Sequence, residues 1–210
     1  YRMALSYLLT LLGDGALDEG LPFLDDISRL EIELVREQVK RGINSPLTSS
    51  CGRLFDAVSA LAGVRGKVDY EAQAAIELEM LVPEEVACIK LGCYPFSIVE
   101  HQGVKSIRLK ELFSALVEEV RKRVPAPVIS AKFHNTVVQM VIQMCQLIGR
   151  ETNIRQVALS GAVFQNWLLW RLTVAALEAE GFGVITHKLV PTNDGGISLG
   201  QAVIANFVVE

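Results

Sequence analysis

The chain has 210 residues, half of them apolar, which is enough to bury the core of one compact domain. Its net charge of −4, with lysines and arginines scattered along the chain, excludes a basic stripe for a phosphate backbone, so nucleic acid is not an expected partner. The most hydrophobic stretch, 136–148, contains glutamines and is shorter than the roughly 18 residues of a membrane span, which predicts a buried helix.

The cysteines indicate a reducing compartment. Cys51, Cys88, Cys93 and Cys145 lie among apolar neighbours, and no signal peptide is recognisable, so we expect reduced thiols in the cytoplasm. The spacing of Cys88 and Cys93 suits half of a zinc site, but no second pair of ligands follows at a matching interval. The chain starts with Tyr1 in an apolar run, and we expect it to be cut from a longer polypeptide.

The first part of the chain is predicted to be helical. Apolar residues recur with helical spacing, and turns rich in Gly, Pro and Asp separate the predicted helices. These helices cover 1–12, 27–41, 50–61 and 71–81. Two short strands, 94–100 and 104–109, then flank a glycine-containing connection at 101–103, which predicts a β-hairpin.

The second part changes from helices to alternating strands and helices. A helix through 112–120 is predicted to end at a break at Pro125 and Pro127, after which a buried helix runs to about Gly149. The last 60 residues predict a strand, a turn and a helix, then a second strand and a helix from Ile197. The strands are 156–159 and 183–186, and the helix between them is 165–180. Without a long linker, we expect both parts to pack as one unit.

The strongest local motif is the polar turn 191–200, which contains adjacent glycines and opens onto a helix. Gly195 and Gly196 allow a close approach of a ligand to the backbone, and the free N–H groups of a helix start attract anions. Asp194 is placed where a carboxylate could ligate a metal bound to phosphates. The alternative is an ordinary helix cap, which Asn or Asp before glycines forms without any ligand.

A second motif, 159–166, places small residues directly after a short apolar strand. Ligands of open α/β sheets lie at such strand ends. Ser160 and Gly161 would allow a base or ribose to lie on the backbone, and Asn166, on the first helical turn, could hydrogen-bond its polar edges. The alternative is an ordinary turn from strand to helix.

Two further candidates lie on predicted helices. Arg53 and Asp56 share one helix face at a spacing of three residues, so they either pair with each other or face a cleft, where Asp56 would suit a ribose hydroxyl. His134 is the best histidine candidate, although a single histidine beside a buried helix is usually structural. His101 and His187 have no carboxylate or cysteine at ligand spacing, and no hydrolase, P-loop or Rossmann motif occurs.

Taken in order, these segments resemble the HypF family, the carbamoyltransferases of NiFe-hydrogenase maturation. The resemblance covers essentially the whole chain, and it rests on motifs that are individually weak but occur in register. These motifs are RMAL at 2–5, SSCGRLFDAV at 49–58, YEAQAA at 70–75, FHNT at 133–136, LSGAVFQN at 159–166 and NDGGISLGQA at 193–202.

The resemblance implies a fold and an activity. It implies an α/β, ribonuclease H-like lobe of the actin and Hsp70-like ATPase superfamily with a helix-rich N-terminal part, and residues 1–210 would form the C-terminal lobe of the carbamoyl-transfer domain. The whole protein would use ATP and carbamoyl phosphate to form carbamoyl-adenylate in another domain. This domain would pass the carbamoyl group to the C-terminal cysteine of HypE. The nucleophile would therefore belong to the partner.

The resemblance also implies roles for individual residues. Asp56 would hold the ribose, while Glu71, Gln73, Ser160, Gly161, Asn166, Gly195 and Gly196 would line the nucleotide. Asp194 would ligate a divalent metal, either Mg, Fe or Zn, whose other ligands lie upstream of Tyr1 in the family. Arg53, His134 and Asn135 are expected near the same cleft.

Two positions depart from the family pattern. Ala72 and Ala162 stand where the family usually has glycine, and each adds a methyl group close to the expected ligand. The uncovered cleft face is expected to expose apolar surface and to favour a homodimer. The alternative functions are a lobe of a tRNA threonylcarbamoyl transferase and a module that only docks a protein partner.

Overall fold

The computed structural model describes residues 1–17, 20–83 and 91–208, and the chain divides into two compact units, Tyr1–Met140 and Val141–Glu210. The packing of both parts as one unit stays a prediction from the sequence. The boundary falls inside one long helix, Ala126–Thr152, so no Gly- or Pro-rich linker marks it in the sequence. Cys88, whose spacing from Cys93 was noted above, lies outside the described residues.

The first unit is mainly helical, as predicted, and it contains the predicted hairpin. The two strands pair antiparallel, with Ile98 opposite Ile107 in the register. The described elements are α1 (Arg2–Leu11), α2 (Arg29–Arg41), α3 (Cys51–Leu61), α4 (Gln73–Met80), β1 (Ser97–His101), β2 (Val104–Arg108), α5 (Lys110–Arg121) and the start of α6 (Ala126–Thr152).

Local signals in the sequence set the ends of α2. Ser28 and Glu31 form a capping box, in which the Ser28 hydroxyl accepts from the Glu31 N–H and the Glu31 carboxylate accepts from the Ser28 N–H. The Ser28 hydroxyl and the Ser28 N–H both donate to the Glu31 carboxylate, and these hydrogen bonds lower the pKa of Glu31 to about 2. At the other end Gly42 adopts a left-handed conformation with φ of 66°, which a glycine adopts without steric cost.

The core of the first unit lies around α3. Leu54, Phe55, Val58 and Leu61 form the buried side of this amphipathic helix. Phe55 meets Phe133 of α6 edge to face, with ring centroids 4.8 Å apart, a geometry that aromatic pairs favour. Asp56, the candidate ligand-binding residue of α3, therefore lies on a helix that apolar packing holds in place.

The bounds of α6 correct two expectations. Pro127 lies inside the first turn and does not break the helix, because the N–H groups of a first turn have no partner within the helix. Gly149 does not end the helix, which continues to Thr152. A Cβ at Gly149 would lie 3.1 Å from the Ile154 carbonyl oxygen and 3.3 Å from the Phe182 ring, so this glycine permits close packing.

The second unit confirms the predicted order of strand, helix and strand. It contains β3 (Gln156–Leu159), α7 (Trp167–Ala179), β4 (Gly183–Thr186) and α8 (Ile197–Val208). β3 and β4 pair parallel, with Leu159 opposite Thr186, and α7 buries Leu169 and Leu177. None of the helices in the described part of the chain is long and apolar enough to cross a membrane. The chain is therefore a mixed helix and strand structure.

Candidate functional site

The carboxyl ends of the two parallel strands bring Ser160 and His187 together. The register pairs Leu159 with Thr186, so the next residue of each strand extends from the same edge. The Ser160 Oγ and the His187 Nε2 are 2.9 Å apart. Sequence reasoning included Ser160 but not His187, although both residues directly follow a predicted strand.

A backbone hydrogen bond brings the second glycine motif to the same edge. The N–H of Gly161 donates to the carbonyl oxygen of Thr192 at 2.9 Å. Gly161 has a φ of 103°, while a Cβ there would meet no atom within 4 Å, so backbone conformation and not space requires glycine. Two of the predicted motifs, 159–166 and 191–200, are thus adjacent within one unit.

The turn that carries Asp194 is built around Pro191 and Asn193. The Asn193 Oδ1 accepts from the Gly195 N–H at 3.0 Å and caps a short 3-10 turn, Asp194–Gly196. A Cβ at Gly195 would lie 3.0 Å from the Pro191 Cγ, which is too close for a side chain without a shift. The predicted cap is therefore present, and Asn193 forms it, while Asp194 remains exposed.

The polar atoms around this turn include one without a partner. The Thr192 Oγ1 is shielded from solvent and has no hydrogen-bond partner among the described residues. In the same described part of the chain, His, Cys, Asp and Glu form no group of three that could hold a metal ion. Asp194 alone does not provide the ligand set that a divalent metal requires.

Asn166 has a structural contact in this site. It is the N-cap of α7, and its Oδ1 accepts from the Leu169 N–H at 2.7 Å. The helix therefore begins at Trp167 and not at Gln165 as predicted, because a 3-10 turn, Ala162–Gln165, precedes the cap. Asn166 is half-buried directly after the turn that follows β3.

Arg53 and Asp56 belong to the first unit and pair with each other. The Arg53 Nη1 and the Asp56 Oδ2 are 3.0 Å apart, and the two side chains are 61% and 24% exposed. The sequence allowed two alternatives for these residues, this ion pair or a role in ligand binding. The half-buried carboxylate stays accessible on α3.

The turn before α4 is braced by Gln73. This side chain is buried, accepts from the Asp69 N–H at 2.7 Å and donates to the Glu77 Oε1 at 2.9 Å. Arg65 binds Glu77 through two hydrogen bonds of 2.7 Å, and it holds the pKa of Glu77 below its usual range. Gln73 thus orders the loop, while Glu71 is exposed at its tip.

Ala72 has the backbone conformation that the family's usual glycine would favour. Its φ is 63°, in the left-handed region that disfavours a Cβ. Ala162, the other departure from the family pattern, does not have a positive φ. The backbone is therefore strained by a left-handed conformation at Ala72 but not at Ala162.

His134 is completely buried in α6. Its Nδ1 is 2.8 Å from the Ser130 carbonyl oxygen, and its ring meets Phe55 edge to face. Burial lowers its pKa to about 4, so the ring is neutral at pH 7. Asn135 is half-buried, and its side chain donates to the Gly92 carbonyl oxygen at 3.4 Å. The position of His134 favours the structural role over a place in a cleft.

Comparisons with known proteins agree on one family. Residues 1–201 match the family described as the carbamoyltransferase, Kae1-like domain, second subdomain. The carbamoyltransferase HypF of Synechocystis sp. is 34% identical over 96% of this chain and 27% of its own length. That of Rhizobium leguminosarum is 37% identical over 79% of this chain and 20% of its own length.

Solved structures share the same fold. A crystal structure of full-length HypF in its phosphate- and nucleotide-bound form matches with a TM-score of 0.87 and 40% identity, over 100% of this chain and 32% of that chain. HypF of T. kodakarensis matches with a TM-score of 0.73 and 25% identity, over 98% of this chain and 27% of that chain. The chain thus spans about a third or less of the length of these relatives. These matches show that the chain belongs to the HypF carbamoyltransferase family and corresponds to the second subdomain of its Kae1-like domain.

Proposed function

We propose that this chain is the C-terminal lobe of the carbamoyl-transfer domain of a longer, ATP-dependent carbamoyltransferase, and that it binds the adenylate part of carbamoyl-adenylate. The observation that carries the proposal is the edge of the parallel strand pair, where the Gly161 N–H binds the Thr192 carbonyl oxygen. The carboxyl ends of parallel strands are the usual place for a nucleotide in α/β proteins. The relative whose crystal structure is nucleotide-bound supports this ligand.

The proposed reaction is acyl transfer from a mixed anhydride to a thiol. The thiolate of the C-terminal cysteine of HypE attacks the carbamoyl carbon and forms a carbon–sulfur bond, while the carbon–oxygen bond to phosphate breaks and AMP leaves. Burial raises the pKa of Cys51 to about 11 and also raises that of Cys145, so both thiols are protonated at neutral pH. Neither of these two thiols is therefore proposed as the nucleophile.

Within this proposal, each unit is considered by itself. For the second unit, we propose that Ser160, Gly161, Gly195 and Gly196 line a nucleotide with hydroxyl and backbone groups, and Asn166 caps α7 in the same unit. For the first unit, the family resemblance supports a ribose contact for Asp56 and a ligand contact for Glu71. Asp194 would supply one carboxylate to a divalent metal, and no group of three His, Cys, Asp or Glu among the described residues completes such a site.

The proposal extends to the fold, the compartment and the partners. β3, α7 and β4 would belong to a ribonuclease H-like lobe, which their parallel pairing supports. The four cysteines among apolar neighbours support the cytoplasm as the proposed compartment. α8 contains no buried residue, although most of its side chains are apolar, and Phe207 is 73% exposed. Such a surface supports a homodimer of the isolated chain.

Calorimetric titration of this chain with AMP and with ATP plus magnesium tests the proposed nucleotide site. We expect saturable binding that Asp56→Asn weakens, since the amide keeps the shape of the side chain but loses its charge. Arg53→Ala is the matched control, because it removes the ion pair and leaves the carboxylate in place. Equal loss in both variants would assign the effect to the ion pair and contradict a ribose contact.

A second experiment separates a nucleotide-binding lobe from a module that only docks a partner. Size-exclusion chromatography with light scattering reports the oligomeric state of the chain, and Phe207→Ser with Val203→Ser removes apolar surface from α8. A docking module predicts no response to AMP, whether or not these changes abolish self-association. The nucleotide lobe predicts AMP binding that survives the same changes in α8.

A further inference from the structure

His187 has a fixed place at the carboxyl edge of the strand pair that the sequence motifs did not assign. β4 ends at Thr186, and the imidazole of the next residue reaches across to the residue that follows β3. The distance from its Nε2 to the Ser160 Oγ is 2.9 Å. Both residues are exposed, so this hydrogen bond has no role in filling the core.

The segment that starts at His187 returns to the same turn. The Thr192 carbonyl oxygen accepts from the Gly161 N–H at 2.9 Å, only one residue from Ser160. The segment is therefore attached to the turn after β3 at two points, one through a side chain and one through backbone. This double attachment fixes the position of the imidazole relative to the serine.

A hydrogen bond to a serine hydroxyl selects its direction. A serine hydroxyl can donate one hydrogen bond and accept two, and it rotates freely when it has no partner. A partner at 2.9 Å uses one of these positions and leaves the others available to a ligand. Groups that are ordered before binding cost less entropy when the ligand arrives.

We propose that His187 is a positioning residue of the nucleotide site, which holds the Ser160 hydroxyl in the direction required for a hydrogen bond to the bound adenine nucleotide. This inference rests on the proposed function, because it requires the nucleotide to lie at the carboxyl ends of β3 and β4. It goes beyond that function by giving a role to a residue outside the motifs. The Thr192 Oγ1, shielded and without a hydrogen-bond partner among the described residues, lies on the same segment.

The test is a double-mutant cycle in AMP affinity, measured by calorimetry on this chain. Loss of one hydrogen bond to the ligand predicts that Ser160→Ala weakens AMP binding about three- to tenfold. His187→Ala should weaken it by a similar factor, and the double variant by no more than Ser160→Ala alone, because both changes remove the same contact. His187→Gln should restore most of the affinity, since its side-chain amide can reach the hydroxyl.

A control and three ligands separate the alternatives. His101→Ala, which removes an exposed histidine at the end of β1, should leave AMP affinity unchanged. Adenosine and inorganic phosphate, titrated separately, show which part of AMP meets Ser160, because only the ligand that uses the hydroxyl responds to His187→Ala. A purely structural role of His187 predicts instead a loss that Gln does not restore and that adds to the effect of Ser160→Ala.

The outcomes separate the role of His187 from the proposed function on which it rests. Absence of AMP and ATP binding to the wild-type chain would overturn the proposed function and this inference together. Wild-type binding that His187→Ala leaves unchanged, or additive effects in the cycle, would overturn the role of His187 alone. Coupled losses with rescue by Gln would support both.

Discussion

Replacing Ala72 by glycine should stabilise the first unit, although it removes a methyl group. The φ of Ala72 is 63°, and a left-handed conformation costs an L-residue roughly 1–2 kcal/mol. Glycine in the unfolded chain offsets about 0.5–1 kcal/mol of this gain through its greater entropy. Ala72 is exposed, so no packing is lost. We expect the free energy of unfolding to rise by about 0.5–1 kcal/mol.

Urea unfolding followed by far-ultraviolet circular dichroism measures this change as a shift of the midpoint at constant slope. Ala75→Gly is the matched control inside α4, where the same substitution should lose about 1 kcal/mol. Ala162→Gly is a second control, because its φ is not positive and no strain is relieved. If Ala72→Gly were no more stable than the wild type while Ala75→Gly lost stability, the strain at this turn would be refuted.

Three further substitutions have expected effects on stability. The pKa of His134 is about 4 in the fold against 6.5 for a free histidine, so the unfolded chain binds the extra proton and stability falls by up to about 3 kcal/mol as the pH drops from 6.5 towards 4. His134→Gln should flatten this dependence in urea midpoints measured across that range. Asn166→Ala should cost about 1 kcal/mol by removing the cap of α7, while Asn166→Ser keeps an acceptor and should cost less, as thermal melts would show. Thr192→Val should raise the free energy of unfolding of the free chain by about 1 kcal/mol, because it removes a shielded hydroxyl that has no partner among the described residues; an unchanged urea midpoint would contradict this.

The helices and strands were predictable because their signals are local and repeated. The face of α3 that contains Phe55 and Val58 has a helical period, and the capping Ser50 marks its start. The pairing of β3 with β4 follows from two short apolar strands around one helix. Each of these signals involves residues within one element or its immediate neighbours.

The functions of individual polar side chains were harder to predict because they depend on distant residues. The buried Gln73 binds the Asp69 N–H and Glu77, which a motif match alone cannot distinguish from a ligand contact. His187 lies beside Ser160 only because of the register of β3 and β4, and the two residues are far apart in the sequence. A motif that covers one segment of the sequence therefore cannot include both. The boundary between the units lies inside α6 and leaves no mark in the composition.

The ion pair of Arg53 and Asp56 does not by itself exclude a ribose contact, because the pair contributes little to stability. An exposed pair of this kind, here with Arg53 61% exposed, stabilises a protein by only about 0.2–1 kcal/mol. A carboxylate has room for several hydrogen bonds, so Asp56 can accept from a ribose hydroxyl while it keeps one from the guanidinium. Buried Gln73 differs, because a ligand could engage it only by breaking two hydrogen bonds that order the loop. Of these two residues, Asp56 is therefore the one whose substitution tests binding with less disturbance of the fold.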